Sequence, residues 1–268
     1  MDKVSIILPL YNCEKYIGHT IESVLNQDYT NWELIIMNDA STDNSLNEAF
    51  KYAEKDPRIK LYSSIVNNGV AATRNEAMKY ATGKYMAFID ADDLWAKNKL
   101  SSQLFFMKKH NAGLSHTSFA YLTEDGHIRE RGLVNVDECV DMKCYMKTSQ
   151  ICMSTVMIDR DKIKKIRFPN DRKLCEDARL WMDYLREGEK FYGLDKILLL
   201  YRIRPNQLSR HKPKMAWLAL KRFMSEKSLS PMERICCYAA YTKNAIKKYE
   251  GKNTVDVAFI KKQFNCRQ

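Results

Sequence analysis

Short apolar runs alternate with amphipathic stretches through the first hundred residues. Val4 to Leu8, Glu33 to Met37, Ile59 to Tyr62 and Tyr85 to Ile89 are aliphatic and aromatic, which predicts buried strands. Between them, Glu14 to Asn26, Thr42 to Glu54 and Val70 to Ala81 show helical spacing, with Ser23 to Leu25, Leu46 to Phe50 and Ala77 to Ala81 as the faces to be buried. Strand–helix alternation of this kind predicts a parallel sheet with crossover helices, and such sheets bind ligands outside the carboxyl ends of their strands. Further along, Leu114 to Leu122 and His127 to Val134 flank Glu124-Asp125-Gly126, a predicted hairpin turn. Ile151 to Ile158 and Lys196 to Arg204 are further strand candidates, and residues 175 to 187 predict a helix with Leu180, Trp181, Tyr184 and Leu185 on one side. Beyond Pro213, Met215 to Leu229 and Met232 to Tyr249 predict amphipathic helices, with Pro231 at a helix start, where its missing N–H does no harm.

Composition adds two points. With 268 residues, 45% hydrophobic and 29% charged, the chain can build a globular core. No apolar run approaches the roughly 20 residues of a membrane span, and residues 1 to 10 do not read as a secretion signal. The eight cysteines form no CxxC pair, so reduced thiols and a cytoplasmic location are expected rather than a zinc cluster or a disulfide framework. The second point is the charge. The net formal charge is +11, and residues 205 to 268 hold 14 Lys and Arg against 4 Asp and Glu. The first 204 residues are therefore about neutral. The tail reads either as a docking element for an anionic surface or as a solvated basic face. No nucleic-acid-binding module accompanies it, so no nucleic-acid partner is expected.

Candidate chemistry lies at the predicted strand ends. There is no GxGxxG and no GxxxxGK[ST], which disfavours dinucleotide and P-loop chemistry. The second strand runs into Asn38-Asp39-Ala40-Ser41-Thr42-Asp43, where Asp39 sits at the carboxyl end and Asp43 suits a first helical turn. The fourth runs into Asp90-Ala91-Asp92-Asp93. Three carboxylates in four residues repel one another at a sheet edge, and a divalent cation bridging them to a phosphate relieves that repulsion. A solvated acid cluster capping a helix over Leu94 to Lys109 is the structural alternative. Asp177 falls on the same predicted helix face as Leu180, Trp181 and Tyr184, which turns it toward the interior.

Taken together, Val4-Ser-Ile-Ile-Leu-Pro-Leu-Tyr-Asn12, Val24-Leu-Asn-Gln27, Asn38 to Asp43, Asn68-Gly69 with Arg74-Asn75, Asp90 to Asp93, and Cys175-Glu-Asp177 before Leu180-Trp181 resemble the inverting family-2 glycosyltransferases, in order and over about residues 3 to 210. The resemblance implies the GT-A fold, a Rossmann-like mixed sheet flanked by helices, here with a C-terminal helical extension. It implies a catalytic domain over 1–212, with a nucleotide-binding half at 1–110 and an acceptor half at 111–212, followed by a basic extension at 213–268. It also implies Mn²⁺ or Mg²⁺ held by Asp92 and Asp90 on a nucleotide diphosphate. Tyr11 would stack on the base, Asp39 would accept from a uracil N3–H, and Arg74 would lie near the nucleotide. Pro9, Asn12, Glu14, Asn68 and Ala91 complete the expected nucleotide-sugar contacts. Asp177, after Glu176, takes the place of the catalytic base, and Asp93, Trp95, Arg202, Arg204 and His211 are candidate phosphate or acceptor contacts.

One motif departs from the family. Many relatives read Tyr-Arg-x-His-Pro-Asn near the end of the catalytic domain, where this chain has Tyr201-Arg-Ile-Arg-Pro-Asn206. Arg204 could neutralise diphosphate charge at that place, or His211 could substitute for the histidine. The implied activity is transfer of a hexose or N-acetylhexosamine from a UDP-sugar to a saccharide acceptor in lipopolysaccharide, capsule or other surface-glycan synthesis. The alternative is transfer to a polyprenyl phosphate. Either would place the enzyme in the cytoplasm, peripheral on the inner face of the plasma membrane.

Overall fold

The computed structural model describes residues 1–130, 132–169, 175–205, 212–250 and 256–264. His211, one of the expected site residues, lies outside them. The N-terminal third follows the expected alternation: β1 (Val4–Leu10), α1 (Ile17–Leu25), β2 (Trp32–Asp39), α2 (Ser45–Ala53), β3 (Ile59–Ser64), α3 (Val70–Met78) and β4 (Tyr85–Phe88). These four strands are parallel, with Ile7 opposite both Ile35 and Phe88. Side chains alternate across the sheet as a strand's period of two requires. Ile6 and Leu8 meet Ile17, Ile21 and Val24 of α1 on one face, while Ile7, Ile35 and Met37 meet Ala71 and Ala77 of α3 on the other.

Two later segments differ from expectation. Leu94 does not begin a helix: Leu94–Trp95 is a short strand, β5, and α4 follows at Lys99–Lys109. The indole of Trp95 donates to the Ser154 carbonyl at 2.8 Å, and this fixed, buried ring sets the chain's direction before the helix starts. In place of a strand from Ile151, a single 3-10 turn at Met153–Thr155 precedes a three-residue strand.

The remaining elements are β6 (Leu114–Leu122), β7 (Cys139–Val140), α5 (Met142–Thr148), β8 (Met157–Asp159), α6 (Glu176–Arg186), β9 (Phe191–Arg202), α7 (Lys212–Met224), α8 (Pro231–Glu250) and α9 (Val257–Phe264). The strand order is β3-β2-β1-β4-β8-β6-β9-β5, with β7 also on β9. Because β2 and β4 flank β1 on opposite sides, a crevice opens above the carboxyl ends of β1 and β4, the switch point where parallel sheets bind ligands. The predicted return strand of the hairpin shrinks to bridges at Leu122–Ile128 and Phe119–Val134, with Gly126 at φ 88° in the turn.

The helical tail packs onto this body. Phe223 and Cys237 are buried in the same core as Trp181, and Ile260 closes a cluster with Leu122 and Leu200. The inner faces of α7 and α9 thus serve as core.

Lys99, at the start of α4, is fully buried and its Nζ has no hydrogen-bond partner among the described residues. It lies over the Trp95 ring, 4.0 Å from the ring centre. Burial pushes its pKa well below the usual lysine value. A lysine with a lowered folded-state pKa weakens the fold at every pH below its unfolded value, and the burden lifts as pH rises toward about 10.4. Lys99→Met should therefore stabilise the protein at pH 7 by on the order of 1–3 kcal/mol, a gain that shrinks toward pH 10. Urea midpoints at the two pH values check this. Equal midpoints for both proteins at pH 7 would show that Lys99 is already compensated.

Candidate active site

Three loops converge on the crevice. Tyr11 to Glu14 follow β1, Asp39 ends β2, and Asp90 to Asp93 follow β4. Backbone strain collects at these junctions. Asn12 and Ala40 adopt φ 49° and 56°, and Cys175, immediately before α6, adopts φ 64°. Positive φ disfavours side chains other than glycine, so the surrounding contacts hold these turns. Asn12 is one such anchor: its amide oxygen accepts from the Thr42 backbone N–H at 2.8 Å. Glu14 accepts from the Asn44 N–H at 2.9 Å, and Asp43 accepts in return from the Glu14 N–H at 3.1 Å.

The Asp39 carboxylate accepts from the backbone N–H groups of Asn68 at 2.8 Å and Gly69 at 2.9 Å. Gly69, at φ 85°, supplies the turn that brings the start of α3 to the strand end. An open cavity of about 790 Å³ runs from Asp39 and Asn68 along the flank of α3 to Ile166.

Arg74, on α3 and almost fully buried, spans the crevice. Its Nη2 donates to Asp90 Oδ1 at 2.6 Å and its Nη1 to Glu176 Oε1 at 2.8 Å. One planar guanidinium thereby ties the acidic loop after β4 to the first turn of α6. Asp177 follows Glu176 and is half-buried. Its pKa is pushed up to about 6, first by burial and then by the neighbouring Glu176, against the pull of the Ala178 N–H, Arg74 and Arg222. Arg222 belongs to α7, so the tail contributes a charge to this site.

The two remaining acids differ in setting. Asp93 is buried and turned away from the crevice. It accepts from the Ser154 hydroxyl at 2.6 Å and the Arg202 N–H at 2.9 Å. Asp92 is 5% exposed, and Arg204 Nε lies 2.6 Å from its Oδ2. That ion pair is close but poorly aimed, and neither atom completes a directed hydrogen bond. Burial pushes Asp92 up to about 6, the Arg204 charge opposing and Asp90 adding to the rise.

The family model for "Glycosyl transferase family 2" matches residues 5–168. This chain belongs to glycosyltransferase family 2. A Bacillus subtilis (strain 168) protein described as a teichuronic acid biosynthesis glycosyltransferase is 36% identical over 91% of this chain and 96% of its own length. The Escherichia coli protein WfaP, a UDP-Glc:α-D-GlcNAc-diphosphoundecaprenol β-1,3-glucosyltransferase by name, is 33% identical over 93% of this chain and 96% of its own. Among solved structures, residues 1–349 of S. aureus TarS in complex with UDP-GlcNAc share the fold at a TM-score of 0.69 and 22% identity, covering 91% of this chain and 73% of that one.

Within this family-2 fold the expected residues fall into four groups. Tyr11, Asn12, Asp39, Asn68, Asp90, Asp92, Glu176 and Asp177 sit on the loops and helix start around the crevice, and Tyr11 is 46% exposed there. Pro9 and Ala91 are fixed in the sheet and its loop. Arg74 is nearer the acids than the resemblance suggested, held by both carboxylates. Asp93, Trp95 and Arg202 are turned inward. Arg202, 4% exposed, donates to the Asp92 and Glu124 carbonyls and lies over the Tyr16 ring. These three brace the acidic loop.

No sequence signal marks Ser154 or Thr20. Ser154 receives the Asp90 N–H at 3.0 Å while donating to Asp93, and the Thr20 hydroxyl lies 2.9–3.0 Å from the Ala91 and Asp93 carbonyls. Neither belongs to a recognisable motif, and both act through partners more than 60 residues away.

Arg74→Gln leaves Glu176 and Asp90 facing each other without a cation. It should destabilise the fold by on the order of 2–3 kcal/mol, under the about 3–5 typical of a fully buried pair because Asp90 keeps contact with water. Chemical denaturation measures this. A change below about 0.5 kcal/mol, the scale of an ordinary surface substitution, would show that the clamp carries no weight.

Proposed function

We propose that this family-2 enzyme transfers a hexose or N-acetylhexosamine from a UDP-sugar to a lipid-linked saccharide in surface-glycan synthesis, with inversion at the transferred carbon. The observation that carries the reading is the Arg74 clamp, which brings the Asp90–Asp92 loop and the Glu176–Asp177 helix start to one crevice. The donor and acceptor classes are supported by the names of WfaP and the TarS complex.

The residues fit a divalent cation. Asp92 offers a buried carboxylate oxygen without a directed hydrogen bond, Asp90 is partly exposed beside it, and hard oxygen donors suit Mn²⁺ or Mg²⁺. Asp92 and Asp90 would hold the cation, which when bound neutralises charge on the departing diphosphate. Asp39 and the exposed Tyr11 ring would receive the base. Asp177 takes the proton of the acceptor hydroxyl as the bond between the sugar and the diphosphate breaks. Glu176, held by Arg74, would fix the first turn of α6 and with it the position of Asp177.

Asp177→Asn keeps the shape but cannot accept a proton. Transfer should fall by a factor on the order of 10² to 10⁴ while UDP affinity stays within a few-fold. A base with a raised pKa is protonated, and so inactive, below it; the wild-type rate should therefore decline as pH drops through about 6. Coupled UDP release assays across pH, with calorimetric UDP titration, test both statements. Joint loss of binding and transfer would give Asp177 a donor-site role instead. If no nucleotide-sugar is turned over and UDP does not bind, the proposed function falls.

Membrane contact would follow from a lipid-linked acceptor. No helix among the described residues is long and apolar enough to cross a membrane. On α7, Trp217 (58% exposed), Lys221 and Met224 share one outward face at i, i+4 and i+7, and on α8 Met232 and Ile235 are exposed. Apolar and basic groups together suit an anionic lipid surface, each lysine or arginine adding about 1 kcal/mol. The full chain should co-sediment with vesicles containing anionic lipid, and Trp217→Ser with Lys221→Gln should weaken that binding several-fold. Vesicle binding unaffected by the double substitution would remove α7 from the contact.

A further inference from the structure

We propose that Arg204 is a resident counter-cation on Asp92, occupying the carboxylate that a divalent cation needs, so that the metal binds by displacing it. The inference rests on the reading of Asp92 as a metal ligand but concerns a separate residue and a separate event. Three observations carry it. The Asp92 side chain is buried, and its Oδ2 is met by Arg204 Nε at 2.6 Å and by no directed hydrogen bond. Among the described residues the same guanidinium is otherwise weakly held: its Nη1 reaches the Cys13 sulfur, at 3.6 Å, and the Tyr16 ring centre lies 5.7 Å away. A thiol is a poor acceptor, and about a third of the side chain is open to solvent, so few contacts resist its departure.

The contrast with Arg202 and Arg74 is instructive. Arg202 is buried and bonded to backbone carbonyls, and Arg74 is bidentate between two carboxylates, so both are fixed. Arg204 alone of the three pairs with a single carboxylate through a single, misaligned atom. A buried carboxylate needs a counter-charge whether or not substrate is present. Arg204 supplies one that a doubly charged ion can outcompete, since the Coulomb attraction scales with charge. Once displaced, the guanidinium remains at the mouth of the crevice, where a diphosphate would meet it.

The test is Mn²⁺ binding to the full chain at pH 8, read from the electron paramagnetic resonance of free Mn²⁺, with and without UDP. Without nucleotide, Arg204→Met should bind Mn²⁺ more tightly than wild type by on the order of tenfold, the scale of one charge-assisted contact. Arg204→Lys should stay close to wild type, because an ammonium can take the same place. Asp92→Asn should abolish the binding. If Arg204→Met binds no more tightly than wild type while Asp92→Asn abolishes binding, displacement is wrong and the metal reading of Asp92 stands. If Asp92→Asn leaves binding unchanged with and without UDP, the metal reading fails and takes this proposal with it. The wild-type protein gives a second readout that needs no stable Met variant. The Arg204 Nε–H resonance, assigned by its loss in Arg204→Lys, should shift on Mg²⁺ titration with the midpoint of metal binding; an unmoved resonance overturns displacement.

Discussion

The site depends on one buried guanidinium. Asp90, Asp92, Asp93, Glu176 and Asp177 come together from two distant parts of the chain, and their mutual repulsion in a half-dry crevice would drive them apart or neutralise them. Arg74 opposes this with a planar fork that bonds Asp90 and Glu176 at once. The ammonium of a lysine, a point charge, could not span both in this geometry. Arg202 and Arg204 then serve the loop after β4, and Arg222 approaches Asp177 from α7. An N-terminal region that is close to neutral overall is thus a region of concentrated charge balanced over a few ångströms.

What was legible in the sequence was local. Strands β1 to β4 announced themselves because each is a short apolar run bounded by polar residues, and the acids at their ends were visible because they follow those runs directly. The Asp90 to Asp93 cluster and the Glu176-Asp177 pair could both be read as chemistry. That Arg74 joins them could not, since Arg74 and Glu176 stand 102 residues apart and no periodicity relates them. Ser154 was invisible for the same reason. Trp95 failed differently: the sequence from Leu94 has acceptable helix propensity, but the indole's bond to the Ser154 carbonyl and pairing with β9 override it.

The tail shows the limit of amphipathic reasoning. A helical stripe declares that one face is apolar without saying what covers it. In α7 the stripe divides: Phe223 and Ala219 enter the core, while Trp217 and Met224 stay at the surface with Lys221. Core packing and an outward apolar–basic face are therefore properties of the same helix rather than competing descriptions. The tail cannot be removed without opening the body, because Phe223, Cys237 and Ile260 lie in the clusters that hold the sheet.

The strain at Cys175 bears on the role proposed for Asp177. Its left-handed conformation turns the chain sharply into α6, so that Glu176 and Asp177 occupy the first turn. There the helix dipole favours an ionised carboxylate, an effect worth at most about 2 kcal/mol when partly buried. Burial and the adjacent Glu176 favour the protonated form, and together they prevail, pushing Asp177 up to about 6. The outcome is a carboxylate still ionised at neutral pH but far more basic than a solvated one. A stronger dipole contribution would leave it too weak a base, and a drier pocket would leave it protonated. Arg74 and Arg222 hold the rise back, so in the proposed reaction the buried ion pairs and the packed tail both bear on one proton transfer.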